Sequence, residues 1–210
     1  KRGNGPAYRD KYYRKGMLAL EMPMLAEYII DIYDELHQNS EFDEVKVLFE
    51  GAQGFGLDID WGDYPFVTSS HCTVGSAILN GVPPQCIRDV WGVAKIYETY
   101  VGAKEFQGKD PELDEIREIG QEFGATTGRP RQTNWLDLDL LIKASKINGV
   151  NKMVINKVDV LEKVDFWKMY EGPHALEFRN RKDMQGHIEH ALKTNMPQME
   201  VFFSGNKEKI

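Results

Sequence analysis

The sequence predicts an α/β protein with a central, mostly parallel sheet flanked by helices. Helical and extended patterns alternate along the chain instead of occurring in separate blocks, which is typical of this class. Several extended runs also end in small or polar residues, as strands of an open sheet do. The 210 residues are 41% hydrophobic, enough for a sizeable core, and contain no repeat or linker. We therefore expect residues 1–210 to lie in a single domain.

The first part of the chain predicts a helix followed by a strand. Residues 23–38 carry apolar side chains at helical spacing, and residues 45–50 form an extended run. That run ends at the small residues 51–54. Because ligands bind at the carboxyl ends of strands in open α/β sheets, Gln53 is expected where chemistry can occur. Residues 64–70 lead into another predicted helix.

The second part of the chain predicts two strands and two helices. The long apolar stretch 90–101 indicates a central strand. Residues 111–122 predict an acidic helix with Pro111 in its first turn. Residues 136–147 again have helical spacing, and residues 152–159 form a buried-strand pattern that ends in polar residues.

Charge and hydropathy restrict the classes of partner. The net charge of -7 and the pI near 5.3 argue against general nucleic-acid binding, which needs a basic face. No apolar run approaches the roughly 18 residues of a membrane span, and no signal-peptide pattern is present. Cys72 and Cys86 fit neither a C-x-x-C nor a metal-ligand pattern. We expect free thiols, a cytoplasmic location and no contact with nucleic acid or membrane.

The segment Phe123-Gly-Ala-Thr-Thr-Gly-Arg-Pro-Arg131 predicts an anion-binding loop. Its small residues allow backbone amides to approach a ligand closely. Each of its two arginines can hold a carboxylate or phosphate with two parallel hydrogen bonds.

Metal-ligand patterns are weak in this chain. Asp58 and Asp60 alternate and would face opposite sides of an extended segment, so a calcium loop is not favoured. The five histidines follow no catalytic pattern. His187 and His190 are interpreted as the solvated face of a helix and not as a zinc site.

The four residues Asn156-Lys-Val-Asp159 match the N-K-x-D guanine-recognition signature and follow a predicted strand. A carboxylate at Asp159 can accept hydrogen bonds from guanine N1 and the 2-amino group, while the stem of Lys157 lies along the purine. So short a match also fits a purely structural role, and by itself it fits a GTP-binding switch protein.

Taken together, the motifs resemble the adenylosuccinate synthetase family over nearly the whole chain. The matching segments are Glu50-Gly-Ala-Gln-Gly54, Leu57-Asp-Ile-Asp60, Tyr64-Pro-Phe-Val-Thr-Ser-Ser70, Gly120-Gln-Glu-Phe-Gly-Ala-Thr-Thr-Gly-Arg-Pro-Arg131 and Trp135-Leu-Asp137. The first residues match the family's G-R-G-x-G-P-A-Y-x-D-K stretch. The resemblance implies a P-loop-NTPase-like fold of which this chain is the carboxyl-terminal part, with the amino-terminal part missing.

The resemblance also implies a two-step ligase reaction. GTP phosphorylates the 6-oxygen of IMP, and L-aspartate then displaces that phosphate to give adenylosuccinate. Gln53 resembles the glutamine that binds the purine 6-oxygen, Thr68 a contact to the nucleotide phosphate and Val101 a contact to the ribose. Arg14 resembles the arginine that reaches the partner's IMP phosphate, which implies a homodimer.

By the same resemblance, the loop after Gly124 recognises aspartate. The implied substrate-binding residues of this loop are Ala125, Thr126, Thr127, Gly128 and Arg129. Arg131 is expected to reach toward the triphosphate. Lys157 and Asp159 are expected to recognise guanine, and Ser204 and Gly205 belong to a base-covering loop. Pro130 departs from the family's basic residue and removes a backbone donor.

The family's phosphate loop, its aspartate base and Mg²⁺ ligand, and its histidine acid are expected upstream of Lys1. The chain alone is therefore expected to be inactive, with no metal ligands of its own. The short segment after Asp159 is similar to compact archaeal and viral members, some of which use dGMP in place of IMP. IMP or dGMP as substrate, GTP or ATP as donor, and a non-catalytic nucleotide-binding or dimerisation module are the open alternatives.

Overall fold

The structure is a computed structural model that describes residues 3–38, 46–124 and 128–205. It divides into two compact units, Lys1–Arg88 and Asp89–Ile210. Among the described residues, no helix is long and apolar enough to cross a membrane.

The first unit consists of short helical segments and loops. Its α-helices are α1 (Asn4–Tyr12) and α2 (Gly75–Leu79), and α2 confirms the helix expected after residue 70. The remaining helical turns are Ala19–Glu21, Pro23–Tyr28, Asp34–Gln38, Phe55–Leu57 and Pro84–Cys86. Of its described residues only Asp58 and Ala77 are buried, so hydrogen bonds and not a core define its loops.

The helix expected over residues 23–38 is wrong. A 3-10 helix spans Pro23–Tyr28 and ends at Ile29, whose backbone is extended (φ -92°, ψ 125°), before a π-helical turn at Asp34–Gln38. Apolar spacing stabilises a continuous α-helix when its apolar face is buried. Here Met24 and Tyr28 are exposed, so that stabilisation is absent.

The strand expected over residues 45–50 is wrong for the described residues 46–50, which have no regular structure; Val45 lies outside the described residues. Val47 and Leu48 are exposed. A strand needs a hydrogen-bonded neighbouring strand, and the described residues of this unit form no strand.

The second unit contains two sheets and confirms the α/β architecture with a parallel sheet flanked by helices. The parallel sheet has the order β1 (Trp91–Lys95), β4 (Lys152–Asn156), β7 (Glu200–Phe203). The mixed sheet has the order β2 (Tyr97–Tyr100), β3 (Gln132–Asp137), β5 (Trp167–Glu171), β6 (His174–Phe178), with β3 and β5 parallel and the outer pairs antiparallel. The helices are α3 (Glu112–Gly120), α4 (Leu138–Asn148), α5 (Val158–Val164) and α6 (Arg181–Asn195).

The single central strand expected over residues 90–101 is wrong, because the chain passes from one sheet to the other at Ile96. Ile96 is fully buried and its N–H still donates to Asn156 of β4 (3.0 Å). The next residue, Tyr97, is already paired with Trp135 of β3. Among the described strands β4 is central in the parallel sheet, and β1 lies beside it.

The helix predicted over residues 136–147 begins two residues later. Leu136 and Asp137 complete β3, and α4 starts at Leu138. The Asp137 carboxylate accepts a hydrogen bond from Leu140 N–H (2.9 Å), which satisfies one of the free donors of the first turn.

Helix α3 and strand β4 confirm two further predictions. Pro111 lies directly before α3, as expected, and β4 is followed by the polar residues that continue into α5. The two sheets and four helices share one core, whose largest fully buried side chains include Trp135, Tyr97, Ile155 and Met169.

Glu98 on β2 is a carboxyl group held in an unfavourable environment. Burial and the nearby Asp137 carboxylate raise the pKa of Glu98 to about 7, although the Asp137 N–H and Lys104 act in the opposite direction. The folded protein therefore keeps the Glu98 proton at pH values where the unfolded chain, with its ordinary pKa of 4.5, releases it.

We predict that Glu98→Gln removes a pH-dependent loss of stability. In the parent protein the contribution of Glu98 is fully present below pH 4.5 and is lost as the pH rises through about 7. The variant should therefore gain roughly 3 kcal/mol relative to the parent between pH 4.5 and pH 8. Urea unfolding of both proteins at the two pH values measures this gain, and a difference that does not change with pH would contradict it.

Candidate functional site

Backbone hydrogen bonds close the predicted anion-binding loop, which we call the arginine loop (residues 124–131). Gly124 N–H donates to Arg129 O (2.8 Å), and Arg131 N–H donates to Glu122 O (2.9 Å). Gly128 donates to Gly124 O (2.8 Å) and has a φ of 63°, a conformation that favours glycine. These bonds bring Gly124 close to residues 128–131, where Arg129 is exposed and the Arg131 side chain is 33% exposed.

Pro130 lies at the base of this loop, where it forms an isolated antiparallel bridge with Phe123. Proline has no N–H and a fixed φ, so it stiffens this end of the loop. Three of the predicted site residues, Ala125, Thr126 and Thr127, lie outside the described residues.

The buried carboxylate of Glu122 contacts the end of the arginine loop at Arg131. Glu122 is 3% exposed and accepts hydrogen bonds from Lys95 Nζ at both oxygens (2.7 Å each). Its carboxylate also accepts from the Tyr97 hydroxyl (2.8 Å) and from one guanidinium nitrogen of Arg131 (3.3 Å). Lys95 donates its third hydrogen bond to Thr99 Oγ1 (3.0 Å). We call Lys95, Tyr97, Glu122 and Arg131 the Glu122 cluster.

The Glu122 cluster shifts the ionisation of its members. Burial favours the neutral acid at Glu122, but hydrogen bonds from Lys95 and Tyr97 outweigh it and lower the pKa of Glu122. Burial lowers the pKa of Lys95, with Glu122 opposing it. Burial and the bond to Glu122 raise the pKa of Tyr97, so its hydroxyl remains a donor.

The guanine-recognition motif forms a tight turn between β4 and α5, which we call the nucleotide turn (Asn156–Asp159). Lys157 has a φ of 64°, and its Nζ donates to Gly120 O at the end of α3 (2.9 Å). Val158 N–H donates to Ser204 O (3.2 Å), so the predicted base-covering residues lie against the turn. A Cβ on Gly205 would lie 3.0 Å from Asp159 Cβ, so this close approach suits glycine.

Three buried polar atoms of these two loops have no hydrogen-bond partner within the described part of the chain: Asn156 Oδ1, Asp159 Oδ1 and Arg131 Nε. Most buried polar atoms in folded proteins are hydrogen-bonded, so these atoms are unusual; a fourth, Gln185 Nε2, lies on α6, outside both loops. The acceptors on the nucleotide turn match the donors of a purine edge, and the guanidinium matches an anion.

Val101 lies at the same end of the mixed sheet as Arg131. The last pair between β2 and β3 joins Tyr100 to Gln132, and Val101 and Arg131 are the next residue on each side. Val101 is 47% exposed. The Gln132 side chain holds the segment that follows, because it accepts from the backbone N–H groups of residues 106 and 107 (2.8 and 3.1 Å).

In the first unit, the structure brings Gln53 and Thr68 together through Ser70. The Ser70 hydroxyl donates to Gln53 Oε1 (3.3 Å) and lies 3.4 Å from Thr68 Oγ1. Gln53 has a φ of 64°, a conformation uncommon outside glycine and often found at functional sites. Arg14, in contrast, donates locally to Tyr12 O (3.3 Å), so its expected role across a dimer stays a prediction.

Asp58, Asp60 and His71 form a group of potential metal ligands, because residues 58–62 turn instead of extending. The expectation that Asp58 and Asp60 face opposite sides therefore fails. The Asp58 carboxylate accepts from three backbone N–H groups, those of Asp60, Trp61 and Cys72 (2.9, 3.0 and 2.6 Å). Both Asp58 oxygens are engaged, so this group does not fit a Mg²⁺ site, which needs nearly ideal octahedral oxygen ligation.

Sequence reasoning missed Lys95 and Tyr97 and assigned no role to Glu122. A lysine at the end of an apolar strand was the available signal for Lys95, since an unpaired buried charge is costly. Glu122 lies inside the motif that ends at Arg131, but its pairing with residues 25 and 27 positions away is not visible in local spacing.

Comparisons with known proteins agree with these motifs. The family profile of adenylosuccinate synthetase matches residues 19–195. The chain is 47% identical over 163 residues to the adenylosuccinate synthetase of Koribacter versatilis, which covers 76% of this chain and 36% of that protein. It spans about a third to a half of the length of the curated relatives it matches.

Two solved structures share the fold. The fully ligated adenylosuccinate synthetase of Plasmodium falciparum matches with a TM-score of 0.74 at 25% identity, covering 92% of this chain and 57% of that chain. The succinoaminodeoxyadenylate synthetase of cyanophage S-2L, bound to dGMP and dATP, matches with a TM-score of 0.59 at 22% identity, covering 89% of this chain and 63% of that chain.

We predict that Asp58→Asn loosens the loop that carries Gln53 and Thr68. The amide can replace only part of the carboxylate's three hydrogen bonds, and each unmet backbone donor costs about 1–3 kcal/mol. Hydrogen exchange should accelerate at the amides of Asp60, Trp61 and Cys72. Asp60→Asn is the control, because its carboxylate is exposed and receives none of these three bonds; unchanged exchange in Asp58→Asn would refute the structural role.

Proposed function

This chain belongs to the adenylosuccinate synthetase family, and from that premise we propose that the protein is a ligase joining L-aspartate to IMP with GTP. In the first step a bond forms between the γ-phosphorus of GTP and the 6-oxygen of IMP, and GDP leaves. In the second step the aspartate amine attacks C6 of the purine, and inorganic phosphate leaves with the oxygen. Adenylosuccinate is the product.

The observation that carries this proposal is Asp159 Oδ1, which is buried beside Ser204 and Gly205 and has no hydrogen-bond partner among the residues the structure describes. A carboxylate there can accept two hydrogen bonds from guanine, at N1 and the 2-amino group, whereas adenine offers neither donor in that position. Lys157 Nζ donates to Gly120 O (2.9 Å), and the stem of Lys157 is proposed to lie along the purine. GTP is therefore the proposed phosphoryl donor.

The arginine loop is the proposed site of aspartate. Aspartate carries two carboxylates, and a loop with two arginines offers two charge-assisted contacts. We assign Arg129, with Thr127 and its neighbours 125, 126 and 128, to the amino acid, and Arg131 to the triphosphate. The stiff Pro130 keeps the two arginines at a fixed separation along the backbone.

The first unit supplies the proposed contacts to the purine and its phosphate. The Gln53 amide can donate a hydrogen bond to the 6-oxygen, which favours the charge that develops there. The hydroxyl of Ser70 holds the carbonyl end of Gln53, and this leaves the amide nitrogen to face the substrate. By the family resemblance, Thr68 is the proposed contact to the nucleotide phosphate. Val101 is the proposed contact to the ribose.

Mg²⁺ accompanies nucleoside triphosphates in this family, but the described residues do not form a site that fits it. The one described group of potential ligands is built on Asp58, whose oxygens are already engaged. No step is therefore assigned to a metal held by these residues. Arg14 is proposed to contribute to a partner's IMP site in a homodimer.

The direct test is an assay of the complete gene product with IMP, L-aspartate, GTP and Mg²⁺. We expect adenylosuccinate, GDP and phosphate in equal amounts. Parallel reactions replace IMP by dGMP and GTP by ATP. Faster turnover of dGMP than of IMP would show that dGMP is the substrate. Nucleotide binding without turnover of any substrate would favour a non-catalytic module.

We predict that Arg129→Leu raises the KM for aspartate about 10- to 100-fold, the value of one lost charge-assisted contact. The KM values for GTP and IMP should change much less. Arg179→Leu is a matched control, because Arg179 is exposed and pairs only locally with Asp183. Equal increases for aspartate and GTP would refute the assignment of Arg129.

We predict that Asp159→Asn reduces the preference for GTP over ATP about tenfold or more, because the amide presents a donor where guanine also has donors. The ratio of kcat/KM for the two triphosphates measures this preference. Asp165→Asn, an exposed position at the end of α5, provides the control. An unchanged ratio in Asp159→Asn would show that this turn does not recognise the base.

A further inference from the structure

We propose that Glu122 and Lys95 are positioning residues for Arg131: the buried pair fixes the guanidinium in the direction from which it meets the triphosphate. The inference rests on the role proposed for Arg131 above. In this role Glu122 and Lys95 need not contact any ligand, because they act through the Arg131 side chain.

The backbone of Glu122 forms the stem of the arginine loop. Glu122 N–H donates to Arg117 O (2.9 Å) and Glu122 O accepts from Arg131 N–H (2.9 Å). Arg117 in turn donates from Nε to Arg131 O (2.6 Å). The start of the Arg131 side chain is therefore fixed, and the remaining freedom lies in its rotamer.

The Glu122 carboxylate removes that freedom. It accepts from one terminal nitrogen of Arg131 (3.3 Å) and leaves Arg131 Nε without a partner among the described residues. One side of the guanidinium is thus held by the protein, and because the Arg131 side chain is 33% exposed, its remaining donors can contribute to a phosphate contact.

Lys95 sets the strength of this contact. Its ammonium lies 2.7 Å from both Glu122 oxygens and satisfies most of the carboxylate's charge. With Lys95 present, Glu122 orients Arg131 without neutralising it. Without Glu122, Lys95 and Arg131, which both contact Glu122 Oε2 (2.7 and 3.3 Å), would be neighbouring cations without their shared anion.

The segment 120–122 also contacts the nucleotide turn. Lys157 Nζ binds Gly120 O, two residues before Glu122. The Glu122 cluster therefore fixes Arg131 relative to the residues proposed to hold guanine, so that base and phosphates can be bound at one separation. This explains why a buried ion pair, costly to desolvate, is placed here.

A double-mutant cycle in the complete gene product tests the proposal. Arg131→Gln should raise the KM for GTP about 10- to 100-fold. Glu122→Gln should raise it about 3- to 10-fold, because the contact is misdirected and not deleted. The double variant should resemble Arg131→Gln alone, since Glu122 acts through Arg131. Multiplied effects would overturn the positioning role.

The Lys95→Met/Glu122→Gln variant separates positioning from folding. Glu122→Gln alone leaves the Lys95 charge without its partner and should lower the melting temperature, whereas removing both charges should restore most of it. The raised KM for GTP should persist in the stable variant. If the KM for GTP instead returned to the parent value in this stable variant, the pair of Lys95 and Glu122 would have only a structural role, and the proposal would be overturned.

A spectroscopic readout is independent of catalysis. The Nε–H resonance of Arg131, identified by its loss in Arg131→Lys, should be resolved in the parent and move to the position of free arginines in Lys95→Met/Glu122→Gln. Asp110→Asn is the matched control, because Asp110 also pairs with a lysine, Lys168 (2.6 Å). An unmoved resonance overturns the positioning role, whereas a moved resonance with no kinetic effect at Arg131 refutes only the function assigned to Arg131.

Discussion

The second unit depends on one buried negative charge, the Glu122 carboxylate. Isolated charges are not stable in a protein interior, so Glu122 must keep its partners, and these come from β1, β2 and the end of the arginine loop. Lys95 and Tyr97 are available because the chain changes sheets between them, at Ile96. The crossing, the ion pair and the arginine loop are consequently one arrangement and not three separate features.

This arrangement gives the arginine loop and the nucleotide turn a common support. The nucleotide turn and the arginine loop are far apart in sequence, but both bind to residues 120–122 at the end of α3. Of the four buried polar atoms without a partner among the described residues, three belong to these two loops and the fourth, Gln185 Nε2, lies on α6. The groups proposed to bind the purine edge and the triphosphate therefore share one support within the second unit.

Local sequence patterns predicted the elements that local physics determines. Helix α3 has its proline and acidic first turn, and β4 has a continuous apolar run followed by a recognisable turn. The family resemblance assigned Ser204 and the nucleotide turn to the same base, and Ser204 O accepts from Val158 N–H. Contacts between residues distant in sequence were harder to predict. No sequence pattern near Ile96 indicates that the chain changes sheets there, and Glu122 pairs with Lys95, which is 27 residues away.

In the first unit, local patterns predicted a helix and a strand that the structure does not form. Residues 46–50 have a strand pattern but no strand partner among the described residues, and residues 23–38 have a helical pattern whose apolar side chains are exposed. Gln53 and Thr68, both assigned to the substrate by the family resemblance, are joined by Ser70, and their roles stay predictions. Periodicity indicates which structure a segment can form, and burial decides whether it does.

A crystal structure of the complete gene product with a non-hydrolysable GTP analogue and an aspartate analogue is the most direct examination of the proposed site. We expect the guanine edge within hydrogen-bond distance of Asp159, the phosphates at Arg131 with its contact to Glu122 preserved, and a carboxylate at Arg129. Guanine bound away from the nucleotide turn, or an Arg131 side chain that leaves Glu122 when the triphosphate binds, would contradict the proposed roles of these residues.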